Sequence, residues 1–131
     1  MARGIVTFRD ARYYLLFTKT AQGRSAARAF LRRLKERTEN RDKPLAVPSF
    51  RAHLKAIHRW GVQQPTDLSR IEQAVFVANG EHDRMVPTHN SVDLARRLPN
   101  AQLKIYADAG HGGIFQYHAE FVPQALDFLD D

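Results

Sequence analysis

Two residues have types and settings that point to chemistry: Asp83, in the stretch GEHDRMVP at 80–87, and His111, in the stretch AGHGG at 109–113. A carboxylate hydrogen-bonded to one imidazole nitrogen fixes the ring's tautomer and stabilises the imidazolium, leaving the other nitrogen to act as a general base. That chemistry requires two residues far apart in sequence to come within hydrogen-bonding reach.

The elements around them supply the means. Asp83 follows the short, uninterrupted apolar run AVFVA at 74–78, the pattern of a strand buried on both faces of a parallel sheet. His111 follows QLKIY at 102–106, a second strand. Between them, Pro87 and Thr88 introduce a short amphipathic helix carrying Val92, Leu94, Ala95 and Leu98, closed by Pro99 and Asn100. Phe115, Phe121, Val122, Ala125, Leu126, Phe128 and Leu129 then predict a terminal helix with a pause near Pro123. Strand, loop, helix, strand, loop, helix is the order of a right-handed βαβα unit. In such a sheet, loops after consecutive strands share the edge where ligands gather, about 5 Å apart. Asp83 and His111 are therefore expected to meet, with Gly80, Gly110, Gly112 and Gly113 allowing positive φ or close backbone approach around them.

The first half of the chain has a different texture. Residues 5–17, IVTFRDARYYLLF, predict a short strand followed by an apolar arm. From Ser25, the residues Ala26, Ala27, Phe30, Leu31 and Leu34 recur at helical spacing, with arginines and Lys35 largely on the other side. A polar loop with Pro44 and Pro48 leads to a second helix, in which Phe50, Leu54, Ile57 and Trp60 line one face until Gly61. Residues 1–60 hold 15 Lys and Arg against 4 Asp and Glu, whereas 61–131 hold 5 against 10. Such a basic half is expected to be a solvated helical face that pairs partly with the acidic half, and nucleic-acid binding is not expected, since no reading motif accompanies the charge. With 131 residues and 44% apolar content, one soluble globular unit is expected. The absence of cysteine excludes disulfides and thiolate metal sites, no apolar run reaches membrane-spanning length, and the expected setting is cytoplasmic.

The stretch from Val75 to Pro87, the segment LARRLPNA at 94–101 and the Gly110-His111-Gly112 loop together resemble the C-terminal part of an α/β-hydrolase. In that family the last two strands carry a triad aspartate in a G-x-x-D-x-x-V-P loop and a triad histidine in a G-H-G loop. The resemblance implies that Asp83 is the acid and His111 the base of a catalytic triad for ester-type, acyl hydrolysis. It covers residues 68–130, and residues 10–62 resemble the helical cap that many members insert before these strands. The implied fold class is α/β, a partial α/β-hydrolase: a cap-like segment at 1–65, then the terminal βαβα unit of a parallel sheet at 66–131. Phe30, Phe50 and Trp60 become candidates for lining an apolar substrate pocket, with core packing as their other role.

The family's nucleophile, a serine in G-x-S-x-G on a strand-to-helix turn, has no counterpart here. Ser25, Ser49, Ser69 and Ser91 lack the flanking small residues and the preceding buried strand, and read as caps or surface hydroxyls. The expectation is a truncated chain, inactive until another segment supplies the serine and acting then on a small ester-like substrate. Two strands alone leave an open sheet edge, a route to self-association or to pairing with another chain. No cofactor is expected, and the histidines at 82, 89, 111 and 118 lack metal-site spacing. The alternative is a non-catalytic module whose basic helical surface binds a protein or polyanion.

Overall fold

The computed structural model describes residues 10–41 and 45–130. The elements are α1 (Ala11–Leu16), α2 (Ala21–Glu36), α3 (Val47–Gly61), β1 (Val75–Gly80), α4 (Thr88–Arg97), β2 (Ala101–Tyr106), α5 (Gly113–Gln116) and α6 (His118–Asp130). Strands β1 and β2 pair in parallel, Val75 opposite Ala101 and Gly80 opposite Tyr106, so both strands end level. Parallel strands need a crossover, which α4 provides, and α4 packs on both of them.

Alternation along the strands sets two faces. Asn79 points toward α4, its side-chain amide donating to Ser91 Oγ (3.0 Å) and to the Val86 carbonyl (3.1 Å). Phe76 points the other way and stacks on Phe121 and Phe128 of α6, ring centroids 6.1 and 5.6 Å away. On β2 the matching residues are Lys104, ion-paired with Glu120, and Tyr106, which is fully buried, stacks on Tyr117 and meets Gln124 through its hydroxyl. Helices thus cover both sides of the sheet. Burial along β1 is uneven, however: Val77, Asn79 and Gly80 are buried, while Val75, Phe76 and Ala78 are half-buried.

The N-terminal elements join this unit through a second core. Tyr13 and Phe17, from α1 and its end, pack with Ala27 and Phe30 of α2. Phe30 also meets Phe115 of α5 at a centroid distance of 5.0 Å, which ties α2 to the loop after β2. In α3, by contrast, every residue is exposed, including Phe50, Leu54, Ile57 and Trp60 on its apolar face.

Several boundaries differ from the sequence expectation. Residues 11–16, expected to belong to a short strand followed by an apolar arm within 5–17, are helical, because Asp10 caps them by accepting from the Arg12 amide at 2.9 Å; residues 5–9 of that segment lie outside the described residues. Helix α2 starts at Ala21, four residues before the expected Ser25, because Thr20 accepts from the Gly23 amide as its N-cap. The C-terminal helix breaks at Tyr117, between α5 and α6, and runs through Pro123 instead of pausing there. Among the described residues, no helix is long and apolar enough to cross a membrane.

Candidate active site

The loops leaving β1 and β2 are bound to each other by backbone hydrogen bonds. The Glu81 amide donates to the Tyr106 carbonyl (2.9 Å) and the His82 amide to the Ala109 carbonyl (2.8 Å), while Glu81 Oε2 accepts from the Asp108 amide (3.1 Å). This contact is possible because residue 80 is glycine. A Cβ there would fall inside the shells of the Ala109 and Gly110 carbonyl oxygens. Its backbone is not in the left-handed region, so close approach is the constraint.

Asp83 sits inside that junction. Its side chain is 2% exposed, and Oδ1 accepts from the amides of Met85 (2.8 Å) and Val86 (2.9 Å), which fixes the carboxylate plane. Its other oxygen, Oδ2, lies 2.9 Å from His111 Nδ1. The His111 side chain is 36% exposed, and its Nε2 takes no hydrogen-bond partner among the described residues. A buried, doubly held carboxylate on one ring nitrogen and an accessible second nitrogen is the arrangement that makes imidazole a directed base.

The turn from α1 into α2 buttresses the histidine loop. The Gly112 amide donates to the Leu16 carbonyl at 2.6 Å. Thr20 Oγ1, while capping α2, donates to Asp108 Oδ2 at 2.7 Å, and Asp108 holds a left-handed backbone at φ 48°. Between this turn and the aspartate loop opens a cavity of about 740 Å³. Its apolar wall includes Tyr14, Leu15, Phe17 and Met85, and Lys19 and Arg84 also line it. His82, Arg84 and Gly110, chain neighbours of Asp83 and His111, belong to its lining, whereas Asp83 and His111 themselves do not.

Of the residues singled out in the sequence, Asp83 and His111 come together. Phe30 belongs to the α1–α2 core, Phe50 and Trp60 stand exposed on α3, and none of the three lines the cavity. The lining residues of α1 escaped the sequence reading because that segment was expected to be a short strand with an apolar arm, which hid the turn that carries Tyr14 to Thr20 against the histidine loop. Among the serines, Ser91 is buried on α4 and committed to Asn79, while Ser25 and Ser49 lie on α2 and α3. No group of three or more His, Cys, Asp or Glu with metal-binding proximity occurs among the described residues.

Comparison with known proteins agrees with this architecture. Residues 3–116 match the family model described as alpha/beta hydrolase fold, and the chain belongs to that family. A solved alpha/beta hydrolase fold protein from Chitinophaga pinensis shares 39% identity at a TM-score of 0.86, over 90% of this chain and 43% of that one. A 2-hydroxymuconate semialdehyde hydrolase from Pseudomonas putida is 31% identical over 64 residues, 49% of this chain and 23% of the relative. The matched region is less than half of either relative.

Proposed function

We propose that this chain carries the acid and base of a serine-hydrolase triad for ester-type substrates, Asp83 as acid and His111 as base, and that the nucleophilic serine comes from a segment outside these 131 residues. The observation that carries the reading is the 2.9 Å contact between Asp83 Oδ2 and His111 Nδ1, with Nε2 left without a partner among the described residues on a partly exposed ring. We read residues 1–65 as a cap-like segment and 66–131 as the C-terminal part of the hydrolase core; the α1–α2 turn over the strand ends supports this division.

With a serine in place, Nε2 takes the hydroxyl proton as Oγ attacks the ester carbonyl. Collapse of the tetrahedral adduct expels the alcohol, which receives that proton, and leaves an acyl-serine. Water, deprotonated by the same nitrogen, then releases the acid and restores the serine. Asp83 stays ionised throughout and stabilises the imidazolium.

The test is fluorophosphonate labelling, read by intact mass and peptide mapping, on the folded chain alone and after mixing with a polypeptide bearing G-x-S-x-G from a family member. Labelling of the added serine that disappears in His111→Ala is the expected result. Labelling on Ser25, Ser49, Ser69 or Ser91 would instead place the nucleophile inside this chain, and no labelling in either mixture counts against the triad.

The fully exposed α3 favours a second reading. Its apolar stripe is flanked by Arg51, Lys55 and Arg59, a surface suited to an acidic protein or polyanion. Binding of heparin that weakens steeply with added salt would support it.

A further inference from the structure

From the cavity beside the catalytic pair, we infer that the substrate carries an anionic group, a carboxylate, on an apolar body, and that Lys19 and Arg84 receive it. The inference rests on the triad reading of Asp83 and His111 and adds the substrate class.

The argument begins with charge. Lys19 and Arg84 both line the cavity, one from the α1–α2 turn and the other from the loop after β1. Neither has an ion-pair partner among the described residues. No Asp or Glu belongs to the lining. The carboxylates nearby are engaged elsewhere: Asp83 with two backbone amides and His111, Glu81 with the Asp108 amide and, at 3.7 Å, with His82, and Asp108 with Thr20. Two cations lining one concave space that has no carboxylate in its own wall raise the local concentration of anions and suit a carboxylate ligand.

Shape and polarity supply the rest. Tyr14, Leu15, Phe17 and Met85 give the same cavity an apolar wall suited to a hydrocarbon or aromatic body. Since Gly110, His82 and Arg84, chain neighbours of His111 and Asp83, belong to the same lining, a ligand held by Lys19 and Arg84 with its body against that wall lies in the neighbourhood of the pair. A site with these polar anchors discriminates against the neutral analogue, because the cations then keep only water.

The probes are 4-phenylbutanoate and its uncharged counterpart 4-phenylbutan-1-ol, titrated into the full chain by calorimetry and by following the His111 ring resonances. The expected result is that the carboxylate binds about tenfold more tightly than the alcohol and shifts the His111 signals saturably. Lys19→Gln with Arg84→Gln should remove that preference while leaving the circular dichroism spectrum unchanged, as both side chains are exposed. Equal binding of the two probes, a preference that survives in the double variant, or no carboxylate binding at millimolar concentration overturns the inference. Failure of the triad reading looks different. A carboxylate-selective site that never supports turnover with an added serine segment would sink hydrolysis and leave the subsite standing. Turnover that favours neutral esters would do the reverse.

Discussion

Asp83 does two jobs with two oxygens, and the variant that separates them is Asp83→Asn. If the side-chain carbonyl keeps the Met85 and Val86 amides, the NH2 group must face His111 Nδ1, which then becomes the acceptor and puts the proton on Nε2. Geometry is retained while the base is disabled. In the serine-complemented protein, kcat for ester hydrolysis should fall by on the order of 10⁴ with little change in KM, and nitrogen chemical shifts of His111 should report the tautomer change. Turnover near that of the parent would remove Asp83 from the triad. This pair was legible in the sequence because type, loop position and strand order all converged on it. Lys19 and Arg84 were not, since a lone cation in a loop looks the same whether it faces solvent or a cavity.

At the level of elements, Thr20 joins the two parts of the structure, as the N-cap of α2 and a donor to Asp108. Thr20→Ala should lower stability by about 1–2 kcal/mol, measured by urea unfolding, because it removes a cap and one interaction with the histidine loop. A loss no larger than that of Thr66→Ala, on an exposed residue between α3 and β1, would show that the link to Asp108 carries no energy. The βαβα half was readable because strand runs and helix periodicity agree there over residues 74–129. The first half was harder. Helix α1 has only six residues, too few for periodicity to show, and its start depends on the Asp10 cap. Helix α2 begins in Ala-Gln-Gly-Arg, where glycine masks a start that Thr20 determines. The break at Tyr117 was equally hidden, since α5 is a turn of only four residues, and Pro123, which costs α6 one interior hydrogen bond without ending it, drew the expected pause to another place.

Across the whole molecule, the groups with shifted ionisation predict the response to pH. Burial raises the Tyr106 phenol above its ordinary 10.0, and hydrogen bonding to Glu120 raises Lys104 above 10.5. Both bind their protons more tightly when folded, so their contribution is complete below the unfolded values and is lost as pH rises through the folded ones. Asp10 behaves oppositely. Its hydrogen bonds from Arg12 lower it to about 2, so that contribution is present above 3.8 and is lost as pH falls toward 2; it is small, because the pair is exposed. The urea midpoint should therefore decline above pH 10, less steeply in Tyr106→Phe. An unchanged alkaline slope in that variant would show that Tyr106 does not drive the decline.

The parallel ladder also fixes a pattern of deuterium uptake. The Val75 amide donates to the Asn100 carbonyl and the Glu81 amide to the Tyr106 carbonyl, so alternation points the Val77 and Asn79 amides toward β2 and those of Phe76 and Ala78 away from it. By the same register, the Gln102 and Lys104 amides face β1, and those of Leu103 and Ile105 face outward. In the isolated chain, protection should therefore alternate residue by residue, slow at 77, 79, 102 and 104 and fast at 76, 78, 103 and 105. Any chain that adds a strand must silence one of the two fast sets. Slowing at Phe76 and Ala78 would locate the new neighbour beside β1, and slowing at Leu103 and Ile105 would locate it beside β2.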